Sequence, residues 1–261
     1  MKNAAYFLLV FVAALLPGCE QRKFTVRTAN MLPAFPVDSR IVVNTSERPQ
    51  LYEVGAYRVF RPEVQEMDIY IGRLGGMPGD TVEMKKGQLY VNGRMTDHHL
   101  VVHFVGESVE KQIDSSLVSD DEHMLRKKEI LYRTFADKQM AKFQDELVRI
   151  GNKELAEVPQ YNSIIGGKPE NGWTSDNMGP LVIPEKNGAI LVTKENYCLY
   201  ADLLLYHEGL EELNVTLLPK KFVFKNSYYF FIGDNRRNSE DSRHFGLIPE
   251  KNVYGTVKLE E

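Results

Sequence analysis

Between Ile69 and Gly93 the chain runs Ile69-Tyr70-Ile71, then Gly72, Gly75, Gly76 and Pro78-Gly79-Asp80, then an apolar stretch closed by Asn92-Gly93. Short β-branched and aromatic runs, punctuated by glycine and proline at this density, leave no room for a helix of ordinary length. Asn-Gly accepts the positive φ that both central residues of a type I′ hairpin need. The pattern predicts a mostly β chain, a coiled antiparallel β-sheet of short strands joined by glycine turns. Val37 to Asn44 and Gln88 to Asn92 have strand character.

The middle of the chain changes period. Ser119 with Glu122 can form a capping box, and Leu125, Ile130, Leu131, Phe135, Met140, Phe143 and Leu147 recur near helical spacing before Gly151. These spacings predict a helix over about 120–149, with its apolar stripe packed on the sheet or turned to a partner. Pro159 to Pro180 holds seven glycines and prolines and reads as a long surface loop around Trp173. Compact pattern returns at Pro184, with a short helix over Asn196 to His207, paired strands in Lys221 to Ile232 and a closing strand over Val253 to Leu259. The expected plan is a β core in two parts, 30–95 and 184–261, interrupted by an inserted α+β domain over 96–183.

The start of the chain bears on location. After Lys2 an apolar run of thirteen residues, Ala4 to Leu16, would span only about 20 Å as a helix. A hydrocarbon core of about 30 Å is too thick for it, so the run reads as the core of a signal peptide over 1–18. Leu16-Pro17-Gly18-Cys19 resembles the lipobox of bacterial lipoproteins. That resemblance implies a lipidated Cys19, a tether over 19–29, and a folded domain outside the cytoplasm on the inner or outer membrane. With Cys19 in lipid, Cys198 has no intrachain partner. A net charge of -4 offers no reservoir for nucleic acid.

Tyr229 to Pro249 contains Gly233-Asp234-Asn235-Arg236-Arg237-Asn238-Ser239-Glu240-Asp241-Ser242-Arg243-His244-Phe245-Gly246. This block resembles the GDNRxxSxDSRxxG signature of bacterial type I signal peptidases. Arg73-Leu74-Gly75-Gly76-Met77-Pro78-Gly79-Asp80-Thr81-Val82, followed by Gly87 to Gly93, is similar to that family's RxxxxPGDxV block and trailing hairpin. Asn30-Met31-Leu32-Pro33 stands where the family carries its SMxP motif. Asp176-Asn177-Met178-Gly179-Pro180, leading to Ile183-Pro184, looks like the Bacteroidetes-type members. The resemblance implies a mostly β fold with a variable insertion, and an enzyme that cleaves exported preproteins with a serine nucleophile and a lysine base.

The two reactive positions depart from that pattern. Asn30 stands at the serine position, and its amide is a poor nucleophile; Gly72 stands at the lysine position and has no side chain. The expectation is a pseudoenzyme that binds an extended peptide or an envelope protein without cutting. A divergent peptidase and a structural lipoprotein acting through the insertion are the alternatives. By the same resemblance Thr28, Met31, Arg73, Asp234, Ser239, Asp241 and Arg243 line or support the cleft, with Asp241 and Arg243 joined as an ion pair. Asp234 and Arg236 read as loop architecture, and His244 as a surface residue. Ser39, Ser46, Ser227, Ser239 and Ser242 offer hydroxyls and Lys85, Lys86 and Lys225 amines, but no spacing marks a second pair. His98, His99 and His103 lack a zinc-like ligand set, so no metal and no cofactor is expected; His123 and His207 have no readable partnership. Sequence leaves the oligomeric state open.

Overall fold

The computed structural model describes residues 21–32, 34–61, 66–85, 87–96, 100–105, 125–127, 130–135, 173–236 and 239–260. In β1 (Gln21–Thr25) and β2 (Arg40–Asn44) the chain forms an antiparallel pair, and β2 alternates buried Ile41 and Val43 with more exposed neighbours. That period of two is what a strand with one face on a core requires. Residues 21–25, read as part of a tether, are therefore sheet. Phe24 and the buried Val26 pack on the cluster of Met31, Ile41, Val43, Ala56 and Ile71 that holds them there.

The next pair, β3 (Val54–Arg61) and β4 (Glu66–Gly76), is in register from Val54 opposite Arg73 to Arg61 opposite Glu66. Gly72, Gly75 and Gly76, expected in turns, lie inside β4. The reason is close packing: a Cβ at Gly76 would lie 2.5 Å from Ile183 and 2.7 Å from Val82, so a second layer sits directly on the strand. The turn itself comes at Pro78-Gly79-Asp80, where Asp80 N–H donates to the Met77 carbonyl.

That layer is built from β5 (Thr81–Lys85), β6 (Gln88–Val91) and β7 (Arg94–Met95). Asn92 and Gly93, with φ of 51° and 75°, make the hairpin turn between β6 and β7. Further on, β8 (Leu100–Val105), β9 (Leu125–Lys127) and β10 (Ile130–Phe135) form a separate sheet in the order β8-β10-β9. These last two strands fall within the span predicted as a helix. The run Ile130-Leu131-Tyr132-Arg133-Thr134-Phe135 is rich in β-branched and aromatic residues and pairs residue by residue with Leu100–Val105, so the partner strand overrides the helical spacing. The capping box at Ser119 and the stretch 136–149 lie outside the described residues.

Beyond the insertion, β11 (Met178–Val182) adds to β5, giving the sheet order β11-β5-β6-β7. Trp173, expected in a surface loop, is half-buried against this layer's core. The pair β12 (Ala189–Val192) and β13 (Lys220–Val223) flanks α1 (Tyr197–Tyr206), whose Leu199, Tyr200, Leu203 and Leu204 are buried. The chain then re-enters the main sheet through β14 (Tyr228–Ile232), and α2 (Ser242–Phe245) leads to β15 (Ile248–Pro249) and β16 (Val253–Leu259). The main sheet is antiparallel in the order β1-β2-β16-β3-β4-β14-β15. Sequence-distant strands meet in it, and so Asn30, Gly72 and the loop after β14 come together.

Candidate functional site

Asn30 lies on the turn that follows β1. Met31, with no exposed surface, anchors that turn, and Phe35 N–H donates to its carbonyl at 2.9 Å. From the other side Asn235 clamps it: its backbone N–H donates to the Asn30 carbonyl at 3.0 Å and its Nδ2 to the Ala29 carbonyl at 2.9 Å. The Asn30 side chain is buried and engaged at both ends. Thr28 Oγ1 donates to Asn30 Oδ1 at 2.6 Å, and Asn30 Nδ2 donates to the Ile71 carbonyl at 2.7 Å. An amide held this way crosslinks the turn to β4, and its nitrogen lone pair is delocalised into the carbonyl. It is a strut and not a nucleophile.

Gly72 follows Ile71 on β4. A Cβ built there would lie 3.2 Å from the Tyr57 ring and 3.4 Å from both the Tyr57 hydroxyl and the Ile232 carbonyl. Tyr57 is fully buried, and its ring stacks on Phe231 with centroids 4.5 Å apart. Burial, reinforced by the nearby Asp241 carboxylate, pushes its phenol well above the ordinary range, so it stays protonated and takes no proton from a substrate.

The loop after β14 supplies the support. Arg73 makes a two-pronged pair with the buried Asp234, Nε to Oδ1 at 2.7 Å and Nη2 to Oδ2 at 2.6 Å, and donates through Nη1 to the Tyr52 carbonyl. Arg236 donates to the Gly233 and Gly87 carbonyls, tying the loop to the second layer. Asp234 and Arg236 thus hold the loop through these hydrogen bonds. Asp241 accepts from Gly233 N–H and Ser239 Oγ, each at 2.9 Å, from Arg243 N–H at 3.1 Å, and from Arg243 Nε and Nη2 at 2.8 and 2.9 Å. Burial alone would raise its pKa; the Arg243 guanidinium beside it, with its hydrogen bonds, outweighs that and holds the carboxyl far below the usual carboxylate range. Ser239, Asp241 and Arg243 converge as an anchor for the loop.

His244 is not a surface residue. Its side chain is 3% exposed, because the N-cap of α2 draws it inward: Asp241 N–H donates to Nδ1 at 3.2 Å. With Nδ1 an acceptor, the proton sits on Nε2 and faces Ser175 Oγ at 3.3 Å. A serine, an imidazole and an aspartate are thereby assembled, but in the tautomer that donates to the hydroxyl, while Asp241 spends its oxygens on Arg243, Gly233 and Ser239. This is the reverse of an activated serine. Nothing in the sequence signals the Ser175 contact, which joins positions sixty-nine apart.

The remaining hydroxyls and amines have other work. Ser39 Oγ donates to the Pro36 carbonyl and Ser46 Oγ to Asn44, while Ser227 Oγ accepts from Lys186 N–H and Ser242 Oγ from Phe231 N–H. Lys85 pairs with Glu83 and Lys225 Nζ donates to the Glu208 carbonyl. Lys86, His98, His99 and His123 lie outside the described residues, and among those described no cluster of His, Cys, Asp and Glu is arranged to hold a metal.

Beside Asn30 a groove of about 280 Å³ runs between the segment Phe24 to Thr28 and the Asp68 to Ile71 part of β4, with Ile41 and Val43 below. β14 pairs with β4 only from Arg73 to Gly76, so among the described residues no strand covers β4 on that side before Arg73. The Ile71 carbonyl points to that side, where Asn30 caps it, and the alternation of strand hydrogen bonding turns the Ile69 backbone the same way. An open strand edge over an apolar floor is suited to main-chain pairing with an extended peptide.

The chain is similar to several signal peptidases. A signal peptidase I of Aquifex aeolicus is 54% identical over 35 residues, 13% of this chain, which spans 14% of that protein. A signal peptidase I of Buchnera aphidicola subsp. Schizaphis graminum is 22% identical over 265 residues, covering 97% of this chain and 71% of its own length. A crystal structure of a signal peptidase I from Enterococcus faecalis matches 80% of this chain and 97% of that one, at 18% identity and a TM-score of 0.30. The family model described as "Signal peptidase, peptidase S26" matches residues 2–160 and 184–260, both sides of the site, and the chain belongs to that family.

Proposed function

We propose that this chain is a signal-peptidase-like pseudoenzyme that holds an extended peptide in the groove beside Asn30 without cutting it. One observation carries the reading. A groove lies beside Asn30, while the Asn30 amide is spent on Thr28 and Ile71 and Gly72 supplies no base. A ligand strand would pair along the Ile69 edge of β4 and place small side chains over Ile41 and Val43. The same reading makes the chain a lipoprotein of the bacterial cell envelope anchored through Cys19, with the groove facing exported proteins. Kinship with the Bacteroidetes-type members is supported by Asp176-Asn177-Met178-Gly179-Pro180.

The test is turnover and binding by the chain starting after Cys19, on signal peptides with small residues before the cleavage site. Binding in the micromolar range with no cleavage is the expected result. Cleavage by the wild-type chain sinks the noncatalytic reading in favour of a divergent peptidase. Absence of binding at high micromolar peptide sinks the groove.

A further inference from the structure

Residues 55, 57, 70 and 72 share one face of the β3–β4 pair, because Gly55 lies opposite Gly72 and Tyr57 opposite Tyr70. On that face the Tyr57 ring leans across Gly72, and the position where a Cβ would stand is 3.2 Å from its Cε1. The ring is packed against two others. Phe231 stacks on it at 4.5 Å and 22°, Tyr70 lies 6.1 Å away on a similar plane, and Phe231 in turn fills the space over Gly55, where a Cβ would be 3.0 Å from it. The Tyr57 hydroxyl is buried and has no hydrogen-bond partner among the described residues.

We propose that Tyr57 is the residue that keeps position 72 free of any side chain: its clamped ring occupies the space through which a side chain at 72 would leave the strand. This deepens the reading of the site as noncatalytic and rests on it, since it makes the missing base a packed feature of the core and not a lone substitution. A change at position 72 then requires a compensating change at position 57.

The experiment is a double-mutant cycle read by thermal unfolding of the whole soluble chain. Gly72→Ala is expected to lower the midpoint by about 3–6 °C in the wild-type background, the cost of overpacking a core by one methyl. In a Tyr57→Leu background the same change is expected to be neutral or to raise the midpoint, since alanine is the better strand residue once the space is open. With Tyr57→Phe the full penalty is expected to remain, because the ring and not the hydroxyl blocks the site; this variant keeps the test readable where Tyr57→Leu does not fold. Equal effects of Gly72→Ala in the wild-type and Tyr57→Leu backgrounds overturn the proposal, and so does relief by Tyr57→Phe. Cleavage of peptide by the wild-type chain overturns the noncatalytic reading instead and leaves the cycle to be read by itself.

Discussion

Asp241 is the side chain on which the loop after β14 depends. It is a buried carboxylate with five donors, three of which belong to an arginine that is itself fully buried. Its depressed pKa makes the stabilisation fully present above the unfolded value of about 4 and progressively lost as pH falls from there toward the folded value. Acid titration of wild-type stability is therefore expected to fall steeply below about pH 4. Asp241→Asn is expected to cost about 3–5 kcal/mol at neutral pH, since it leaves the Arg243 charge buried and unpaired, and to flatten that acid slope in denaturant melts. A variant as stable as the wild type at pH 7 would remove Asp241 from this role. The ion pair with Arg243 was legible in the sequence because the two residues are neighbours in one block. Ser175 against His244, and Tyr57 over Gly72, were not, because those contacts exist only once separate strands have paired.

Among the strands, those with a local signal are legible in the sequence and those set by a partner are not. The closing strand Val253–Leu259 and the Asn92-Gly93 turn follow from residue type alone. The strand Ile130–Phe135 does not: its apolar spacing fits a helix, and only pairing with Leu100–Val105 decides for a strand. Glycines misled for the opposite reason, since in β4 they permit close approach of a second layer and make no turn. Gly255 shows how strict such approach is. A Cβ there would stand 2.2 Å from the Asn44 carbonyl oxygen, at the register shift between Val253 and Gly255 in β16. Gly255→Ala is expected to cost about 1–3 kcal/mol or more through the β2–β16 pairing, seen as a lowered unfolding midpoint together with faster amide exchange in β2. Unchanged exchange in β2 would refute that account.

For the molecule as a whole, strand pairing among the described residues starts at Gln21, two positions after Cys19. Gln21 is paired with Asn44, so the lipid proposed on Cys19 would leave almost no slack between sheet and bilayer. Full-length chain expressed in a bacterium and fed labelled fatty acid is expected to incorporate label and to fractionate with membranes, and Cys19→Ser is expected to abolish the labelling; label retained on the variant would refute the anchor. Among the described residues no helix is long and apolar enough to cross a membrane. One arrangement in the main sheet bears on mechanics. β1 and β16 both pair with β2, with Gln21 opposite Asn44 and Asn44 opposite Thr256, so β1 and β16 run in the same direction on either side of β2. The start of β1 and the end of β16 thus lie toward opposite ends of the strands. A pull between them loads the hydrogen bonds of both ladders together, in shear, and no single bond opens first. A protein tethered at its first strand and tugged through its last would resist force as a clasp does and would not peel like a zipper.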